Sequence, residues 1–185
     1  MLTHSARSPS LLSRAARGVA AGAVGTAAMD ALWYRRYRQD AGRESFPSWE
    51  LSLSTRSYDD AGAPAQTARK LASLAHITLP EESAGLANTL VHWATGLGWG
   101  VAYATLAAGR RGAPLVQGPL LGLCAWLTSY AVLPLLGVYN PIWKYDAATL
   151  AKDLSAHLLF GTGAALALRL IDRTRARRAS TWRWS

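Results

Sequence analysis

The chain has 185 residues, half of them hydrophobic, with 20 Lys and Arg against 11 Asp and Glu, a formal charge of +9. Such a length sets one domain as the default. No nucleic-acid recognition motif accompanies the basic charge, so no nucleic-acid partner is expected, and a single cysteine, Cys124, excludes an intrachain disulfide.

Charge is segregated along the chain. Windows of about twenty nearly uncharged residues alternate with a crowded stretch at 35–84 and a basic C-terminus. This pattern predicts an all-α fold, an integral membrane bundle of four transmembrane helices. Residues 1–14 form a basic N-terminal tail with Arg7 and Arg14. The first span is expected at 15–34, "AARGVAAGAVGTAAMDALWY". A signal peptide is weighed because arginines precede it, but "AAMDA" is a poor cleavage site and retention is expected.

Residues 35–84 form a polar connection. "RESFPSWE" and "SYDDAGAPA" are turn-rich. "PAQTARKLASLAHI" predicts a short interfacial helix, with Pro64 at its start and Leu71, Leu74 and Ala75 on one face. Pro80, Glu81 and Glu82 suit the first turn of a helix. The second span follows at 85–108. Arg110 and Arg111 precede the tight "GAP" link at 112–114. The third span is expected at 115–136, with Pro119 near its start and a kink at Pro134. "GVYNPIWKYDAAT" then places Tyr139, Trp143 and Tyr145 at the membrane–water boundary. The fourth span runs over 148–171. A basic tail, 172–185, carries Arg173, Arg175, Arg177 and Arg178, and ends with Trp182, Arg183 and Trp184. Its partner is expected to be the bilayer with its anionic headgroups. A homo-oligomer or a membrane partner is left open.

Steps of four residues expose a shared design. The rows Gly18–Gly22–Thr26–Asp30, Asn88–His92–Gly96–Gly100 and Asp153–His157–Gly161–Ala165 are polar at one end and small at the other. Small residues at this spacing let helices approach closely. Ionisable groups on the same face then point inward, since lipid exposure is costly. Alternating crossings bring Asp30, His92, Asp153 and His157 to one membrane face, with Ser129 and Tyr130 towards it.

Such a cluster suits proton handling, because histidine titrates near neutral pH. It also suits a divalent metal held by His92, Asp153 and His157, since an acid and an imidazole at i, i+4 share a helical face. Haem ligation by the two histidines is a weaker variant. The bland alternative is a structural or partner-binding subunit, its polar residues serving as interhelical glue. No Ser-His-Asp set, zinc-protease motif or phosphate loop is present, so catalysis is not expected.

The C-terminal half carries "VHW" with Tyr103 eleven residues after His92, Gln117–Gly118, "LPLLG" at 133–137, "NPIW" and Asp153-x-x-x-His157. In these features it resembles the YagU-like family of bacterial inner-membrane proteins. Gly18 and Gly22 extend the similarity to the first span. The connection at 35–84 departs from the family pattern, the family often has glutamate at the position of Asp153, and Asp30 has no clear counterpart. The resemblance implies a multipass protein of the bacterial cytoplasmic membrane. It implies no substrate or reaction. The positive-inside rule leans towards cytoplasmic termini.

Overall fold

The computed structural model describes residues 10–106 and 112–181, and these are all-helical with no strand. Six α-helices occur: α1 (Leu11–Gln39), α2 (Phe46–Glu50), α3 (Ala63–Leu74), α4 (Ala84–Leu106), α5 (Pro114–Val132) and α6 (Ala147–Thr181). Short 3₁₀ turns at Glu81–Ser83 and Ile142–Lys144 lead towards α4 and α6. Arg7, Arg110, Arg111, Trp182, Arg183 and Trp184 lie outside the described residues.

Local chemistry sets the helix ends. Ser10 caps α1 by accepting the Ser13 N–H at 3.2 Å, and Arg36 and Arg38 in the last turn complement the negative helix end. Both α2 and α3 carry a proline in the first turn. The third span differs from its expected course. It stops at Val132 instead of reaching 136, so Pro134 kinks nothing. Leu133 still holds helical dihedrals and donates to the Ser129 carbonyl at 2.9 Å, but Pro134 has no N–H with which to continue the ladder. The first part of the basic tail, 172–181, is helical and continues α6 to Thr181. Between α1 and α4 the connection is folded, not merely extended.

Two of the helices, Pro114–Val132 and the Ala147–Arg175 part of α6, are long and apolar enough to cross a membrane. The 29 residues of α1 and 23 of α4 are long enough. Their composition of Ala, Gly, Thr and aromatic residues keeps them below the same apolarity.

The long helices pack in the order α4, α1, α6, α5. Glycine permits each contact. A Cβ on Gly22 would stand 2.6 Å from the Gly96 carbonyl oxygen across the α1–α4 crossing. On Gly25 it would stand 2.6 Å from the Phe160 carbonyl oxygen on α6, and on Gly118 2.6 Å from the Thr162 Cα. Small residues at these crossings let the backbones approach closely and gain dispersion contacts. Met29, Leu121, Ala156, Phe160 and Ala164 form the core where α1, α5 and α6 meet.

No comparable packing joins α4 to α5. The Tyr103 hydroxyl reaches Gln117 Oε1 at 3.1 Å, one of the few links between them. The space between these two helices is backed by α1 and α6.

Candidate functional site

That space is a cavity of about 690 Å³, lined by α1, α4, α5, α6 and the connection. Asp30, His92, Asp153 and His157 all face it. They form two separate carboxylate–imidazole pairs. His92 Nε2 on α4 is 2.8 Å from Asp30 Oδ1 on α1. On α6, His157 Nδ1 is 3.0 Å from the Asp153 backbone carbonyl and 3.4 Å from Asp153 Oδ1. The carbonyl accepts the shorter bond, so Nδ1 carries the proton in that arrangement.

Each pair leaves one carboxylate oxygen over. Asp30 Oδ2 and Asp153 Oδ2 are buried and lack a protein hydrogen-bond partner. The Asp30 side chain is only 4% exposed. A buried acceptor without a donor is costly, and such atoms concentrate where a ligand or proton is received.

The metal set of His92, Asp153 and His157 does not converge. Among the described residues no group of three or more His, Cys, Asp or Glu side chains is placed to hold a metal ion. The reason is local. His92 is engaged by Asp30 at the α1–α4 contact, whereas His157 turns back onto its own helix.

Sequence reasoning missed Glu50. It ends α2 in the connection and lines the same cavity. The Trp93 indole N–H donates to Glu50 Oε1 at 2.8 Å, tying α2 to α4. Burial raises the Glu50 pKa above its usual value, and the Asp30 carboxylate adds to this. The Trp93 hydrogen bond and the His92 charge work the other way. Glu50 had no helical row to announce it. The sequence signal was the pairing of "PSWE" with "VHW", 43 residues apart, which spacing alone does not reveal.

The rest of the connection is fastened over the cavity. Asn88 Nδ2 donates to Ser52 Oγ at 2.9 Å. Tyr58 is fully buried with Ala65 and Ala84, its N–H on Glu81 and its hydroxyl 2.8 Å from Ser83 Oγ. Tyr34, Tyr37, Phe46 and Trp49 pack ring against ring into an aromatic block, from which Trp49 lines the cavity. At the α5–α6 link, burial and the Asp153 charge push the Tyr139 hydroxyl up to about 12. This keeps a neutral phenol at the cavity edge.

Comparison with protein-family models, with curated proteins and with solved structures finds no match.

Proposed function

We propose that the chain is a four-span protein of the bacterial cytoplasmic membrane whose cavity handles protons. One observation carries the reading: two carboxylate–imidazole pairs, from three helices, line a single cavity and each keeps a buried oxygen unpaired. Ionisable groups at membrane depth are expensive, and they mark relays or pathways more often than ornament. Glu50, held in the connection with a raised pKa, supplies a further proton acceptor at the cavity.

Membrane placement draws on two sufficiently apolar helices and on α1 and α4, which have the length to accompany them. The bilayer is the expected partner, with anionic headgroups meeting the basic ends. Exposed Leu71, Leu74 and Ile77 suit α3 and its end to the headgroup boundary. Both termini are placed in the cytoplasm by the positive-inside reading. Kinship with the YagU-like family rests on the short sequence motifs alone.

A second reading has its own support. His157 bonds its own helix, and His92 joins α1 to α4, as packing glue would. Proton flux in vesicles separates the two. Proton handling requires faster decay of an imposed pH gradient than in protein-free vesicles, and its loss in an inserted, folded His92→Ala/His157→Ala variant. Glue gives no flux in either protein and lower thermal stability in the variant.

A further inference from the structure

The cavity carries an electrostatic sign opposite to that of the chain. Its described lining includes four carboxylates, Asp30, Glu44, Glu50 and Asp153, against two imidazoles, His92 and His157, each beside one aspartate, and neither lysine nor arginine. The chain as a whole has 20 Lys and Arg against 11 Asp and Glu. Its walls are aromatic as well. Trp33, Trp49, Trp99, Tyr139 and Phe160 all face the space. Arg36 already lies over the Trp33 ring, 4.9 Å from its centroid, so one ring of this set holds a cation on its face.

Elimination narrows the occupant. Acid lining repels an anion. A chelated metal lacks a three-residue set among the described residues. A proton alone has no need of about 690 Å³, which lies within the range of small-molecule pockets, roughly 300–1,000 Å³. Carboxylates with aromatic faces are the combination that receives an ammonium group, through charge and through the ring quadrupole. The Asp30 side chain, 4% exposed with Oδ2 unpartnered, is the buried acceptor such a cation would satisfy.

We infer that the cavity binds an organic cation, an ammonium group carried on an apolar or aromatic body. The inference rests on the membrane-cavity reading above and adds the ligand class to it. Asp30, Glu50 and Asp153 supply the charge, and Trp49, Trp99 and Tyr139 supply the walls.

The test is calorimetric titration of the full chain in mild detergent with benzyltrimethylammonium, against empty micelles. Its neutral near-isostere, 2,2-dimethyl-3-phenylpropan-1-ol, serves as control. Saturable ammonium binding is expected, about tenfold or more tighter than the alcohol. Glu50→Gln and Asp153→Asn should each weaken it by about tenfold, the loss of one close charge pair. Glu82→Gln, exposed and outside the cavity, should leave it unchanged. Glu50 sits in the connection, so its variant keeps the test valid should Asp153→Asn fail to fold. Absent saturable binding, equal binding of the alcohol, or unchanged affinity in folded Glu50→Gln would overturn the inference. A protein that moves protons yet ignores the ammonium overturns the ligand alone. One that binds the ammonium without moving protons overturns proton handling.

Discussion

His92 Nε2 lies 2.8 Å from Asp30 Oδ1, across the α1–α4 crossing and 62 residues away in sequence. The contact sits at the end of the glycine row that lets the two helices touch. Asp30 is buried, so its carboxylate depends on that imidazole.

His92→Ala therefore removes the imidazole that bonds a buried acid. It should cost roughly 1–3 kcal/mol, the penalty of an orphaned buried group. His157→Ala should cost less, because His157 Nδ1 mainly serves its own helix carbonyl. Thermal unfolding in detergent checks the order. Equal losses in the two variants would contradict the asymmetry.

Glycine positions give a sharper contrast. Gly22→Leu places atoms where the Gly96 carbonyl and the Leu97 Cα already stand, at 2.6 and 2.9 Å from the first added carbon. The helices must part, at a cost on the order of 1–3 kcal/mol or more. Gly98, on the same helix as Gly96, meets nothing within 4 Å. Gly98→Ala should be neutral or stabilising by about 0.5–1 kcal/mol, the helix preference of alanine. Melting of the two variants is the measurement.

The all-helical class and the inward faces of α1, α4 and α6 were legible, because glycine and ionisable residues recur at the helical step. Asp30 and His92 were placed on one side by counting crossings. Their direct bond was not legible, since a distance between helices depends on how they cross. The ends were less visible. Pro134 looked like a kink within a helix that in fact stops at Val132. The connection was the least legible part. Glu50, Trp49, Ser52 and Tyr58 are ordered by long-range contacts with α1, α3 and α4, and turn-rich composition conceals such contacts.

Glu50 sets a pH dependence. Its folded-state pKa lies above the model-peptide value of 4.5, raised first by burial and then by the Asp30 charge. Between the two values the folded state binds the proton more tightly than the unfolded state. Stability is thus highest below about 4.5 for this group and falls as pH rises through the folded pKa. Glu50→Gln keeps an oxygen for the Trp93 N–H and removes the charge. The variant should melt higher than the parent at neutral pH, with the gain shrinking on acidification. Thermal melts across that pH range check it, and a gain that grew on acidification would contradict it.

Trp93→Phe tests the fastening of the connection. It deletes the N–H that holds Glu50 Oε1 at 2.8 Å. Amide hydrogen exchange around α2 should speed by about fivefold or more, as expected for the loss of roughly 1 kcal/mol from a local opening. Exchange in α5 should not change. Uniform acceleration throughout the chain would indicate general destabilisation instead.

The proposed function requires an acidic cavity that water-borne cations can reach. Ser129 lines it from α5, and the only native thiol is Cys124. The most direct measurement is thiol modification of Ser129→Cys in a Cys124→Ser background, with protein in sealed vesicles. Two membrane-impermeant methanethiosulfonates are compared, one bearing trimethylammonium and one bearing sulfonate. Each rate is normalised to a free thiol in solution. A cleft of one charge sign concentrates ions of the other, so the cationic reagent should react about tenfold faster or more. Comparable normalised rates, or no reaction with either reagent, would contradict the account.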